Sequence, residues 1–331
     1  MTVSLHYFII KALERTENSL DKESKSNEVI FMISLPDVEI FSLNSKPCKN
    51  LFFLFYQLFI REEFLMRGRF KFRDDYVYKM PVHFGGHQFY PVRTVYGDIT
   101  GISIRYETKS EALLQYIPED FELLEPVVNV QYSNCRDVDW MTGGEYRLIQ
   151  VTVPVKYLGN TEGLTGDYAL VVWENKACPI IGGREEDGVP KIFADIAAER
   201  HKEDHWFTAA SYESHTFLKF DFFRKEEVKK EDVQKINIDP RINLFAWRYI
   251  PNLGRGGASL SHATLYPQSS RTERMWTGEG FIGWTRLSSE QHPLQWYIIE
   301  ALSELPVVKY LKAVMIKGTS QLNVGDSRIL P

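Results

Sequence analysis

Apolar and polar positions alternate along much of this chain, and the alternation predicts strands. Gly101 to Tyr106 alternates residue by residue, and Pro126 to Tyr132 reads as a second strand. Glu145 to Leu158 is a longer one, with Tyr146, Leu148, Gln150 and Thr152 set against Arg147, Ile149, Val151 and Val153. Period-two spacing sends the two sets to opposite faces. Asp167 to Trp173 is apolar throughout its middle, the pattern of a strand buried on both faces. Thr208 to Phe223 and Arg241 to Tyr249 alternate again. Helical signals are few. Thr108-Lys109-Ser110-Glu111 has the form of a capping box, opening a short helix with Ala112, Leu113 and Tyr116 inward and Pro118 as its stop. Pro293 starts the last helix, where Leu294, Ile298, Ala301, Leu302 and Leu305 share a face. Many strands and few helices predict a mainly β (α+β) fold, a barrel or sandwich with a few peripheral helices.

Residues 1–65 break this pattern and read as an N-terminal extension to a domain spanning 66–331. Thr16 to Asn27 is polar and charged, whereas Leu51 to Ile60 is almost wholly apolar. The apolar run is shorter than the roughly 20 residues of a spanning helix and too far along the chain for a secretory signal. Three readings remain: an appendage packed on the domain, a targeting segment, or sequence upstream of a natural start at Met66.

Composition narrows the function classes. The 331 residues are 44% hydrophobic and 25% charged, ordinary usage for a globular chain that does not enter membranes. A net charge of −5 without a concentrated basic face argues against a nucleic-acid partner. Cys48, Cys135 and Cys178 are odd in number and lack metal-type spacing, which points to a reducing, cytoplasmic setting. Aromatic residues reach 14%, a share that favours strands and aromatic-lined pockets.

The candidate chemistry lies at Lys191. It follows Gly182-Gly183-Arg184-Glu185-Glu186-Asp187-Gly188-Val189-Pro190, a Gly-rich segment stiffened by proline, downstream of the buried strand. An ordinary lysine titrates near ~10.4 and has no lone pair at neutral pH. Apolar burial lowers that value by up to ~3–5 units and makes the amine a nucleophile toward carbonyl carbon. The alternative for this position is a surface lysine after a turn.

The runs Gly166 to Asn175, Pro179 to Glu185 and Val189 to Lys191 together resemble the acetoacetate decarboxylase family. Met80-Pro81-Val82-His83-Phe84-Gly85 is similar to that family's opening motif, and Tyr249 to Asn252 and Trp276 to Gly278 to its C-terminal half. The resemblance covers about residues 70–316 in one order. It implies a β-barrel-type fold with the reactive lysine inside, usually in homo-oligomers. It also implies a lyase that decarboxylates a small 3-oxo acid through a Schiff base at Lys191, with no metal or organic cofactor. Acetoacetate decarboxylase itself is the standard case of a lysine activated by desolvation or an adjacent cation.

Two departures from the family pattern stand out. Where the decarboxylase carries a second lysine, this chain has Ile192, so burial is expected to account for most of any shift at Lys191. Where the family places glutamates near the imine, the first position becomes Gln131. The second falls near Glu145 to Val153, where Glu145 is the only carboxylate and an ungapped match gives Leu148. The family's substrate-holding arginine falls near Ile99 and is absent. Lys191 and Glu145 are therefore the candidate catalytic residues, and Gln131, Trp173 and Arg184 the candidate substrate-binding ones. Each has a plainer alternative: a solvated strand end for Glu145, a polar strand face for Gln131, core for Trp173, and loop-holding ion pairs for Arg184 and Glu185.

These substitutions leave an alternative within the same fold, a Schiff-base aldolase-dehydratase acting on keto acids, and another in a non-catalytic small-molecule-binding member. Two other motifs lead nowhere sharper. His201 and His205 would share a helical face and could bind zinc, but Lys202 stands where the metalloprotease motif needs glutamate, and strand and loop are expected here. Gly254-Arg255-Gly256-Gly257 lacks the Lys-Ser/Thr of a phosphate cradle and reads as a hairpin loop.

Overall fold

The computed structural model describes residues 68–88, 93–159 and 163–331. The chain divides into two units, Met1–Phe72 and Arg73–Pro331, and the second is described below. The apolar run Leu51 to Ile60 and the candidate start at Met66 lie outside the described residues.

The principal strands are β1 (Arg93–Glu107), β2 (Val127–Val138), β3 (Gly144–Tyr157), β4 (Thr165–Glu174), β5 (Lys191–Phe193), β6 (His205–Tyr212), β7 (His215–Glu227), β8 (Arg241–Pro251), β9 (Ala258–Trp284) and β10 (Ala313–Asn323). Among the described residues four α-helices decorate them: α1 (Ser110–Leu114), α2 (Ala177–Glu185), α3 (Lys230–Ile236) and α4 (Trp296–Glu304). The fold is mainly β, as the alternation predicts.

Strand pairing closes on itself. The antiparallel run β1, β2, β3, β4 continues through a short parallel contact to β8, then to β9 and β10, and β10 returns to β1. The closure is weakest between β4 and β8, where only two residue pairs join the strands. The far half of β9 leaves the ring to pair with β7, which pairs in turn with β6.

Only Asp167 and Tyr168 of β4 pair with β8. The later edge of β4 instead takes β5, in parallel, with Val172 opposite Lys191 and Trp173 opposite Ile192. The candidate lysine therefore stands where β4 changes partner.

The two faces of β2, β3 and β4 bury different things. One packs Val130, Tyr132, Ile149, Val151, Val171 and Trp173 into the main core with Phe217, Phe220 and Phe245. Each such side chain contributes roughly 1.5–3 kcal/mol on leaving water. The other face carries two smaller apolar clusters, one around Tyr96, Cys135 and Tyr146 and one around Val172, Val189, Leu244 and Tyr266. Leu148 and Leu322 touch both.

Three local expectations change. Lys109, not Thr108, precedes α1 as its cap residue, and no side chain caps that helix. In α4 the buried residues are Ile299 and Leu302, while Leu294 is exposed before the helix begins at Trp296. Most consequential, Arg184 and Glu185 do not lie in a loop: Ala177–Glu185 is helix. Pro179 falls in its first turn, where a missing N–H is tolerated. His201 and His205 lie on two strands of one hairpin, with His201 stacked on Trp206 and His205 bonded to Asp221, so the shared helical face does not exist.

Candidate active site

Lys191 opens β5, and its side chain lies on the face of the two small clusters. Directly opposed residues on neighbouring strands share a face. Ser103 of β1 opposes Gln131 of β2, Gln131 opposes Gln150 of β3, Gln150 opposes Val172 of β4, and Val172 opposes Lys191. One row of side chains thus runs across the sheet to the lysine. Gln150 Nε2 donates to Gln131 Oε1 at 3.3 Å, and Gln131 Nε2 donates to Ser133 Oγ at 3.1 Å.

The partner of the lysine is Glu174, the last residue of β4. Its Oε1 lies 2.9 Å from Lys191 Nζ, with the glutamate side chain fully buried and the lysine side chain 13% exposed. Burial alone pulls the lysine's pKa down, but the Glu174 carboxylate outweighs it, with help from Tyr96 and Asp187, and holds Nζ as ammonium with its pKa above the ordinary value. This reverses the direction expected from dryness alone. Burial raises the Glu174 carboxyl in turn, and Lys191 opposes that rise. Among the described residues both Glu174 oxygens are buried without an aligned hydrogen-bond donor, so Lys191 meets the carboxylate as an ion pair.

Other ionisable groups surround the pair. Asp187 is pushed up to about 6, mainly by burial. The Cys135 thiol is pushed up to about 12 by burial and then by the Glu174 charge. Tyr146 donates to the Tyr96 hydroxyl at 3.3 Å, and burial raises both phenols.

The chain before the lysine is braced twice. Arg184 Nη1 donates to the Lys191 carbonyl at 3.0 Å. Arg248 of β8 donates to the Glu185 carbonyl, and Gly188, at φ +71°, lies against the Arg248 side chain. A Cβ at Gly188 would be strained by that φ and would also meet Arg248.

The structure thus brings some of the candidate residues together and separates others. Lys191 and Gln131 share a face. Arg184 reaches the backbone of Lys191 from the helix α2 and is itself exposed. Glu145 alternates with Tyr146 and so lies on the opposite face, paired with Arg147 at 3.1 Å. Trp173 alternates with Val172 and Glu174 and is fully buried in the main core, 5.2 Å centroid to centroid from Phe217. No motif in the sequence marks Glu174 or Asp187. A charge ending the apolar run Leu170-Val171-Val172-Trp173 was the available signal for Glu174.

The family model described as acetoacetate decarboxylase (ADC) matches residues 79–329. The chain belongs to this family. As an acetoacetate decarboxylase family member it is 25% identical over 227 residues to an acetoacetate decarboxylase of Burkholderia vietnamiensis, covering 68% of this chain and 84% of that one. The fold is similar to that of acetoacetate decarboxylase from Legionella pneumophila, with a TM-score of 0.61, 21% identity, and coverage of 82% and 95%. It is also similar to the enduracididine biosynthesis enzyme MppR, whose structure holds the condensation product of pyruvate and imidazole 4-carboxaldehyde. There the TM-score is 0.57 with 13% identity, and coverage is 78% and 98%. These likenesses establish the fold of the family member described here.

Proposed function

We propose that this protein is a carboxy-lyase that decarboxylates a 3-oxo acid through a Schiff base at Lys191. The observation that carries the reading is the placement of Lys191 Nζ: nearly enclosed, at a strand start, beside a small apolar cluster, in a chain of the decarboxylase family. The neutral amine adds to the ketone carbon, and loss of water leaves a protonated imine. The carboxylate then departs as carbon dioxide, its bonding electrons flowing into the imine to give an enamine. The enamine takes a proton at carbon, and water releases the ketone and the free lysine. Every step uses the lysine and water, so the chemistry calls for neither a metal nor an organic cofactor.

Gln131 and Gln150 supply amide groups on the face of the lysine and suit the carboxylate or carbonyl oxygens of such a substrate. Glu145 and Trp173 enter the proposal only as supports of the sheet that carries the site. A homo-oligomer in the cytoplasm completes it, resting on the family resemblance and on the cysteine usage. Among the described residues no helix is long and apolar enough to cross a membrane.

A second reading has support of its own. The likeness to MppR, with a pyruvate condensation product in its structure, favours aldol condensation with dehydration on a keto acid. One experiment separates the two. The protein is incubated with acetoacetate, with a bulkier 3-oxo acid, and with pyruvate plus an aldehyde, and gas and products are followed. Carbon dioxide release supports the lyase. Condensation of pyruvate without gas replaces it with the aldolase. Absence of a borohydride-trapped adduct at Lys191 with all of them removes both and leaves a binding protein.

A further inference from the structure

The resting ion pair poses a chemical problem. Nucleophilic attack needs a lone pair on Nζ, yet a buried carboxylate 2.9 Å away favours the ammonium. The same carboxylate offers the way out. Oε1 is 2.9 Å from Nζ, within reach for proton transfer, and neither carboxylate oxygen has an aligned hydrogen-bond donor among the described residues. Backbone geometry fixes the pair: β4 and β5 run parallel in register, so Glu174 reaches Lys191 diagonally from the adjacent strand.

We propose that Glu174 is a catalytic acid–base that carries the Lys191 proton to the oxygen leaving the substrate. The proposal rests on the Schiff-base reading above. In the first step a proton passes from the ammonium to the Glu174 carboxylate, leaving a neutral amine and a neutral acid. The Nζ lone pair then forms the C–N bond while the carbonyl π pair moves to oxygen. Glu174 protonates that oxygen and takes back a proton from nitrogen, giving the neutral carbinolamine. Finally the C–O bond breaks, the nitrogen lone pair forms C=N, and the hydroxyl leaves with the Glu174 proton as water. The sum is ammonium, carboxylate and ketone going to iminium, carboxylate and water, so atoms and charge balance and no co-reactant is needed. A buried pair suits this work. Transfer within it cancels both charges, so the low-dielectric surroundings that penalise separated ions penalise the neutral state less.

The other titratable groups near the pair are Tyr96 on β1, Cys135 on β2, Tyr146 on β3, Asp187 before β5 and Tyr266 on β9. Burial raises all five, and among the carboxyls only Glu174 is within hydrogen-bond distance of Nζ in the described residues.

Glu174→Gln separates a proton carrier from a mere counter-ion. Removing the negative charge frees the Lys191 amine at lower pH. If Glu174 only held the ammonium, the variant would form its imine as fast as wild type or faster. If Glu174 carries the proton, imine formation falls by about 100-fold or more, and it stays slow at pH values where the variant's lysine is neutral. The measurement is a time course of borohydride-trapped adduct at Lys191, with acetoacetate and with pyruvate, across pH. An equal or faster variant overturns the proposal while leaving the Schiff base intact. A wild type without adduct brings down the Schiff-base reading itself. Should Glu174→Gln fail to fold, Glu174→Asp carries the test, since it keeps the charge and withdraws the carboxyl by one methylene. Slowed imine formation in that variant supports the relay, and an unchanged rate overturns it.

Discussion

The side chain of Lys191 occupies the space that a side chain on Gly183 would need. A Cβ on this helical glycine would fall 2.8 Å from Lys191 Nζ and closer still to Cδ and Cε. Glycine inside a helix costs about 0.5–1 kcal/mol relative to alanine, so α2 gives up stability to let the lysine pass.

Gly183→Ala should therefore displace the reactive amine without deleting a functional group. The contact is with a flexible side chain rather than backbone, so the fold is expected to survive, with a smaller loss of stability than removal of the lysine causes. Imine formation should fall by about 100-fold, the scale of a misplacement near 1 Å. Adduct yield and thermal melting are measured on one sample. An unchanged yield would mean that the lysine works from another rotamer.

Lys191→Met tests the buried pair through stability. Loss of the lysine strands Glu174, which is fully buried. Breaking a buried pair from one side costs about 3–5 kcal/mol, but Glu174 can escape most of that by binding a proton. Its folded pKa, already raised by burial, then rises further above the unfolded value near ~4.3. A raised carboxyl makes stability fall as pH climbs from the unfolded pKa toward the folded one. Urea unfolding should show a small loss at pH 4 and a larger one at pH 8, and Glu174→Gln in the same chain should recover the difference. Equal losses at both pH values would contradict the burial of an unpaired carboxylate.

Asp187 should act as a pH-dependent burden on the fold. Its carboxyl is raised to about 6 by burial, and Oδ1 has no hydrogen-bond partner among the described residues. The folded state holds this proton more tightly than the unfolded chain, so the group costs stability as pH rises from about 4 to about 6 and fully above that. Asp187→Asn should raise stability at pH 8 by up to about 3 kcal/mol and change it little at pH 4. A variant no more stable at pH 8 would show that Asp187 is solvated or paired when ionised.

Ile192 faces away from the chemistry. It opposes Trp173 and packs against the main core, while Lys191 opposes Val172 on the other face. Ile192→Glu should cost stability, because it places a carboxylate against apolar neighbours, yet leave the pH profile of imine formation where it was. A profile moved toward higher pH would place residue 192 in the pocket. On the structural reading, the absence of a second lysine here says little about the substrate.

The sequence by itself determined the strand-rich class, the buried strand Asp167 to Trp173 and the position of Lys191 just downstream of it. Those follow from periodicity and from local chemistry, which a single chain carries openly. Alternation even contained the information that Glu145 and Trp173 point away from Gln150 and Val172. What it lacked was which face the lysine joins, because that depends on β5 pairing with β4 rather than with another strand. The ion pair of Lys191 with Glu174 was decided only in three dimensions. Residues 17 positions apart in sequence meet because two parallel strands align in register, and the helix Ala177–Glu185 makes the crossover between them. The sign of the lysine's pKa followed from that meeting. Dryness, legible from apolar neighbours, pulls the ammonium one way, and a carboxylate brought to 2.9 Å by tertiary pairing pulls it the other way and prevails.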